Sequence, residues 1–170
     1  VTPASAAEPY EVSLTAPAER TWRDCTLYLP MYARLKALDI GLDAAAGLAA
    51  PTPLRLERPV VFYGSSFVQG ACAARGSMAY PAILGRRLGV DIVNLGFAGD
   101  GTCEADMAAC LAEIDAAGFV MGPILNDLPL MQERYAAFID IVRRQRPQMP
   151  IVLMTRLHTL GQREPYAVNA

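Results

Sequence analysis

The chain has 170 residues, of which 53% are hydrophobic and 19% charged, and its formal net charge is -2. This composition is typical of one globular domain with a small appendage and argues against a disordered chain. The lack of a strong positive charge disfavours nucleic acid as a partner. No apolar run approaches the roughly 20 residues that a membrane span needs, so a membrane is not an expected partner either.

The first part of the chain, residues 1–56, is predicted to form a β-rich segment followed by a linker. Residues 26–29 and 38–42 alternate polar and large apolar side chains, which is the pattern of a half-buried strand. The prolines after residue 50 indicate a stiff connector. The sequence opens on valine without a recognisable signal peptide, so we expect a piece of a longer protein and assign no localisation.

After residue 57 the pattern changes to strands that alternate with helices. Short apolar runs, typical of strands buried on both faces, occupy residues 60–63, 91–95, 119–121 and 151–154. Between them we predict one helix that begins near Pro81 and ends before Gly89, a second around Leu111, and a third that ends before Pro147. This alternation predicts an α/β fold with a parallel sheet and right-handed crossovers.

Three segments that follow predicted strands carry residues suited to catalysis. Ligands bind at the carboxyl ends of parallel strands, where Ser66, Gly99 and Asn126 are expected. A serine hydroxyl becomes a nucleophile when a base accepts its proton and hydrogen-bond donors hold the oxyanion. Taken singly, Ser66 and Gly99 are also typical of turns, and Asn126 of a helix N-cap. Their occurrence at three successive strand ends favours an active site.

Nucleotide and metal sites are disfavoured. Residues 64–70 are followed by Ala71 where a phosphate-binding loop has lysine, and the glycines of residues 96–101 have the wrong order for a dinucleotide site. The four cysteines show no metal-ligand spacing, and we interpret most of them as small buried hydrophobic residues. No metal or cofactor is predicted.

Three motifs together resemble the SGNH, or GDSL-like, serine esterases (acylhydrolases), in the bacterial branch that has an N-terminal β-domain. They are YGSSFVQG at residues 63–70, MAYPAILGRRL at 78–88 and NLGFAG at 94–99. The likeness covers residues 57–155, and residues 27–32 resemble the end of the β-domain. It implies a flavodoxin-like three-layer α/β/α sandwich that hydrolyses carboxylic esters, including acyl esters of carbohydrates, through an acyl-enzyme. It also implies that Ser66 is the nucleophile and that its amide, the Gly99 amide and the Asn126 side chain form the oxyanion hole.

The family's Asp-x-x-His block is not found, and the only histidine is His158. We expect residues 57–170 to be an SGNH-like domain that is incomplete at its carboxyl end. Two alternatives stay open: His158 is the base, with Asp100 or Asp127 orienting it, or the domain is an inactive carbohydrate- or partner-binding module. An incomplete sheet would leave an edge through which the chain self-associates. The expected ligand is a small-molecule or carbohydrate ester.

Overall fold

The computed structural model describes residues 11–13, 21–122 and 128–154 of the chain. At its centre is a 4-stranded parallel sheet of β1 (Val60–Gly64), β2 (Ile92–Gly96), β3 (Gly118–Gly122) and β4 (Ile151–Leu153). The strand order is β2-β1-β3-β4, so β1 and β3 are internal. Tyr63 of β1 lies opposite Leu95 of β2 and Met121 of β3. The predicted α/β class and parallel sheet are confirmed.

Four helices connect the strands. They are α1 (Ser66–Gln69) and α2 (Tyr80–Leu88) between β1 and β2, α3 (Ala105–Glu113) between β2 and β3, and α4 (Leu128–Gln145) between β3 and β4. Pro81 lies in the first turn of α2, where backbone N–H groups have no intrahelical acceptor, so the lack of an N–H in proline costs no hydrogen bond. Gly89 ends α2 in the left-handed conformation, with φ 65°. Both ends of α2 therefore lie where the sequence predicted them.

The core lies between α3, α4 and one face of the sheet. Its largest fully buried side chains include Tyr63, Phe119, Leu111 and Phe138, each no more than 1% exposed. The Tyr63 ring stacks on the Phe138 ring with centroids 5.0 Å apart and planes 15° apart. This stack joins the internal strand β1 to α4, and its burial is a main source of stability for this layer.

The opposite face of the sheet packs against α2 but is covered only in part by described residues. Phe62 and Tyr80 meet edge to face, with centroids 5.8 Å apart. Beside them an apolar groove of about 330 Å³ is lined by residues from β1, β2, β3, β4 and α2. Val152 of β4, on the wall of this groove, is 56% exposed. No helix in the described ranges is long and apolar enough to cross a membrane.

The segment before the sheet differs from the sequence prediction. Residues 21–59 contain no strand, so the strands expected at residues 26–29 and 38–42 are not formed. Their alternating apolar side chains are exposed, Leu29 by 49% and Ile40 by 69%. The physical reason is that a strand needs a hydrogen-bonded neighbour and an apolar layer, and the described residues supply neither here. The division of the chain at residue 56 stays a prediction.

The cysteines also differ from expectation. Cys103 is buried, whereas Cys25, Cys72 and Cys110 are exposed and all four are free. Interpretation as buried hydrophobic residues is therefore wrong for three of them. Cys110 lies on the outer side of α3, while Cys103 precedes that helix and packs into the core.

Candidate active site

Glycines in register form the carboxyl edge of the sheet. Gly64 of β1 lies opposite Gly96 of β2 and Gly122 of β3. A Cβ atom on Gly64 would lie 1.9 Å from the Gly122 carbonyl oxygen, and one on Gly96 would lie 2.0 Å from the Gln69 amide nitrogen. Side chains are thus excluded at this edge because α1 and the strand ends approach each other backbone to backbone.

This close approach fixes the position of Ser66. Ser66 is the first residue of α1, two residues after the end of β1, and is half-buried. The preceding Ser65 is 5% exposed, and its amide donates to the Gly122 carbonyl over 3.2 Å. The Ser66 carbonyl accepts from Gly70 and Ala71 over 2.9 and 2.7 Å. The backbone on both sides of Ser66 is therefore held, as the sequence prediction of a serine at a strand end requires.

The loop after β2 packs against the same backbone. The Phe97 amide donates to the Gly64 carbonyl over 2.8 Å. Gly101, with φ 84°, approaches so closely that a Cβ atom there would lie 2.5 Å from that carbonyl oxygen and 3.1 Å from the Ser65 nitrogen. Gly99 lies between these two contacts with φ 83° and open space around it. The structure thus brings the loop that carries Gly99 against the peptide before Ser66, and the left-handed conformation favours glycine at its exposed turn.

Two side-chain amides hold this loop to α1. Asn94 Nδ2 donates to the Val68 carbonyl over 2.8 Å, and Asn94 Oδ1 accepts from the Gly96 amide over 3.0 Å. Gln69 Oε1 accepts from the Ala98 amide over 2.7 Å. Asn94 and Gln69 are not among the site residues predicted from the sequence. Side-chain amides that bond to backbone groups recur with no periodicity, so a sequence does not reveal them by pattern. The one feature that could have indicated their roles is that each lies inside one of the quoted motifs.

Beyond Gly101, hydrogen bonds and an ion pair fix residues 102–104 to β1 and α4. The Cys103 amide donates to the Tyr63 hydroxyl over 3.1 Å, and Cys103 itself has φ 59°. Glu104 accepts from the Thr102 hydroxyl and lies 3.7 Å from the Arg134 guanidinium. The Thr102 hydrogen bond is the main cause that holds the pKa of Glu104 below its usual range, with Arg134 contributing. Burial raises the pKa of the Cys103 thiol to about 12, so this cysteine is a packed, protonated group.

A polar cleft of about 500 Å³ opens beside the loop. One wall is the segment of residues 31–34, and the other includes Gln69 and residues 96–98 together with Asp100. Arg34 and Asp100 bring opposite charges to this cleft. Asp100, which the sequence offered as a partner for a histidine, thus lines the cleft, and its amide donates to the Phe97 carbonyl over 3.1 Å within the turn.

The remaining predicted residues fall elsewhere. Asn126, Asp127 and His158 lie outside the described residues. No group of three or more His, Cys, Asp or Glu side chains able to hold a metal occurs in the ranges 21–122 and 128–154. The structure therefore places two of the three predicted site residues, Ser66 and Gly99, at one edge of the sheet. The position of the third is not described.

Comparison with known proteins agrees with this geometry. The family model described as "GDSL-like Lipase/Acylhydrolase family" matches residues 57–162. A solved protein from Bacteroides ovatus described as a GDSL-like lipase is 38% identical, with a TM-score of 0.68. The match covers 74% of this chain and 37% of that protein, so the chain spans well under half of its length.

A second solved structure is more distant. The salicylyl-acyltransferase SsfX3 from a tetracycline biosynthetic pathway is 25% identical, with a TM-score of 0.53. The match covers 65% of this chain and 35% of the acyltransferase. No curated protein matches the chain significantly.

Proposed function

Because the chain belongs to the GDSL-like lipase/acylhydrolase family, we propose that it is a carboxylic ester hydrolase with Ser66 as its nucleophile. The observation that carries the proposal is the position of Ser66 at the start of α1, beyond the end of the internal strand β1. The loop with Gly99 packs against the peptide that precedes this serine. Acyl transfer requires a hydroxyl and backbone donors close together, and the packing of this loop supports that assignment.

In the proposed reaction Ser66 Oγ bonds to the ester carbonyl carbon while a base accepts the hydroxyl proton. The carbonyl oxygen becomes an oxyanion, held by the amides of Ser66 and Gly99 and by the Asn126 side chain. The bond to the alcohol oxygen then breaks, and the alcohol leaves with the proton from the base. Water then gives a proton to the base and bonds to the acyl carbon. The bond between that carbon and Ser66 Oγ breaks, the base returns the proton to Ser66, and the carboxylic acid is released. His158 is the candidate base within this sequence.

Within the ester class we propose short acyl esters of carbohydrates as substrates. The cleft beside the loop is compatible with this choice, because Arg34 and Asp100 on its walls supply charged hydrogen-bonding groups for sugar hydroxyls. Ser66 and Gly99 are not among the residues that line it, so the cleft would contact the alcohol portion and not the reacting ester.

A second candidate is acyl transfer to an alcohol rather than to water. The observation that favours it is the likeness to a salicylyl-acyltransferase. Both reactions pass through the same acyl-enzyme, and they differ only in which nucleophile removes the acyl group. Product analysis in the presence of an added sugar alcohol distinguishes them, since transfer gives a new ester whereas hydrolysis gives the free acid.

The test is hydrolysis of an aryl acetate by the chain beside its Ser66→Ala and His158→Ala variants. We expect Ser66→Ala to lose at least about a thousandfold in kcat, since removal of the nucleophile leaves only residual catalysis. Ser77→Ala is the matched control, because Ser77 is also half-buried but lies in the turn before α2. A second assay follows covalent labelling by an aryl fluorophosphonate, located by mass spectrometry.

The outcomes separate the alternatives. Equal loss in the Ser66 and His158 variants makes His158 the base. Activity that Ser66→Ala leaves unchanged contradicts the proposal. A chain with neither turnover nor labelling at Ser66 either lacks a base that reaches this serine, since the Asp-x-x-His block is not found in it, or is an inactive binding module. Extension of the chain by a segment that carries Asp-x-x-His separates the two. Regained turnover supports the proposal, whereas continued inactivity together with calorimetric binding of sugar esters contradicts it.

A further inference from the structure

Gln69 makes two long-range hydrogen bonds with opposite polarity. Its Oε1 atom accepts from the Ala98 amide over 2.7 Å, and its Nε2 atom donates to the Met31 carbonyl over 3.0 Å. The partners are 29 and 38 residues away along the chain, so neither bond is local to the helix. Gln69 is the last residue of α1, one turn after Ser66.

Close contacts also hold the backbone at Gln69 and Gly70. Gly96 packs directly under the Gln69 amide, where a Cβ atom would lie 2.0 Å from the Gln69 nitrogen. On the other side a Cβ atom on Gly70 would lie 2.5 Å from Met31 Sδ. Gln69 is thus half-buried between the loop after β2 and the segment before the sheet, and both polar atoms of its side-chain amide are hydrogen-bonded.

We propose that Gln69 is a positioning residue for the reaction described above: its Oε1 atom fixes Ala98 and thereby sets the place of the neighbouring Gly99 amide relative to Ser66. Gly99 itself meets no atom within 4 Å of its Cβ position, so the contacts of its neighbours determine where it lies. The bond to Met31 orients the Gln69 amide, so that the oxygen faces Ala98 and the nitrogen faces away. The segment of residues 31–34 therefore contributes to the site through Gln69.

The inference extends the proposed esterase function, and its physical reason is the steep dependence of catalysis on geometry. A donor displaced by about 1 Å from the oxyanion is expected to lose about a hundredfold in rate, and a donor removed loses about a hundred- to a thousandfold. Without the Gln69 bond, the Gly99 amide is expected to be displaced from the oxyanion in some conformations and turned away from it in others. The loss should fall on kcat, because the donor acts on charge that develops only in the transition state.

The test compares Gln69→Ala with Gln69→Glu. Alanine removes both bonds, whereas a glutamate carboxylate still accepts from Ala98 but cannot donate to Met31 when ionised. We expect Gln69→Ala to lower kcat about 10- to 100-fold with KM changed less than about threefold, and Gln69→Glu to recover most of that loss. Gln145→Ala is the matched control, because Gln145 is also the last residue of a helix but is exposed and lies before the amino end of β4, at the opposite edge of the sheet.

Amide hydrogen exchange gives a readout that does not depend on turnover. Exchange at Ala98 should rise about tenfold in Gln69→Ala and less in Gln69→Glu, while the segment of residues 31–34 loosens in both. Equal loss of kcat in the two variants, a loss below about threefold in Gln69→Ala, or unchanged Ala98 exchange overturns the inference. If neither the parent chain nor its extension by an Asp-x-x-His segment has esterase activity, the proposed function fails, and Ala98 exchange alone decides whether Gln69 holds the loop.

Discussion

The segment before the sheet and the α/β body both carry apolar patterns that predict strands, but only the body forms them. In the body, Val61 and Tyr63 of β1 are fully buried between paired strands and helices. In residues 21–59, Leu27 and Leu38 belong to period-two patterns and are about half exposed, by 51% and 50%. The difference teaches that alternation produces a strand only where a neighbouring strand and an apolar layer meet it.

The two regions also differ in how they are held. The body is held by side-chain packing, whereas the segment is joined to it largely by polar contacts. Arg86 donates to the Tyr28 hydroxyl over 3.0 Å and lies over the Tyr28 ring, and the Arg55 amide donates to the Gly89 carbonyl over 2.8 Å. Exposed polar contacts contribute little to stability. The segment is therefore expected to matter less for folding than for the site that it borders.

The largest expected effect comes from Phe138→Ala. The substitution removes the ring that stacks on Tyr63 and leaves a cavity in the core, so the free energy of unfolding should fall by about 3–5 kcal/mol. Ile40→Ala in the segment is the matched control, expected to change it by less than about 0.5 kcal/mol. Urea denaturation followed by circular dichroism measures both. Similar losses in the two variants would mean that the segment is packed as the body is.

Glycine substitutions test whether the backbone is closely packed in the body and open in the segment. Gly96→Ala places a Cβ atom against the Gln69 backbone at 2.0 Å and should cost about 2 kcal/mol or more, with a lower midpoint in urea. Gly41→Ala in the segment meets nothing within 4 Å, so no loss is expected there and a small gain is consistent with a less flexible unfolded chain. Stability of Gly96→Ala equal to that of the parent would contradict the close packing of α1 on β2.

A smaller effect concerns pH. The folded-state pKa of Glu104 is lowered, first by the Thr102 hydrogen bond, so its ionised form stabilises the fold above the ordinary carboxyl pKa. This contribution is lost as the pH falls through the lowered pKa. Because Glu104 is 43% exposed, the effect should stay below about 1 kcal/mol.

The variant Glu104→Gln should therefore lose less stability than the parent between neutral pH and about pH 3. Thermal melting at a series of pH values measures the difference. Glu113→Gln serves as the control, because Glu113 is an exposed carboxylate at the end of α3. Parallel curves for Glu104→Gln and the parent would show that the network at Thr102 and Arg134 does not favour the ionised form.

The smallest effect on stability is expected at β4, whose described partner is β3 alone. We propose that this edge permits self-association, because Val152 and Leu153 are 56% and 50% exposed. In analytical ultracentrifugation, Val152→Lys should reduce the rise of apparent mass with protein concentration that self-association of the parent causes. It should change the free energy of unfolding by less than about 0.5 kcal/mol. Leu48→Lys, at an exposed position in the segment, is the control. A chain that stays monomeric at all concentrations contradicts this proposal.

Much of the body follows from its sequence. Apolar runs predicted the strands, Pro81 and Gly89 bracketed α2, and the strand-end position of Ser66 follows from where β1 stops. These features depend on local chemistry and periodicity, which a sequence displays directly. The same reasoning failed for residues 26–29 and 38–42. A pattern of side chains does not show whether a neighbouring strand is available to pair with the segment.

The anchors of the site were not predictable in the same way. Gln69 and Asn94 bond to backbone groups whose proximity exists only after the sheet has formed. Glutamine and asparagine in a loop-rich motif are compatible with many partners, and only the fold selects one. Cys103 in its left-handed conformation is a similar case, because its amide needs the Tyr63 hydroxyl to be in place.

The row of glycines at Gly64, Gly96 and Gly122 has a consequence for how new specificities can be reached. These positions have no side chain to exchange, and a Cβ atom on Gly64 or Gly96 would meet backbone at about 2 Å. If the proposed esterase function holds, directed evolution of a different substrate range has to act on side chains around this edge, such as residues 31–34 and Asp100. Libraries built at those side chains should keep folded members, whereas libraries at the glycines should be depleted before any selection for activity.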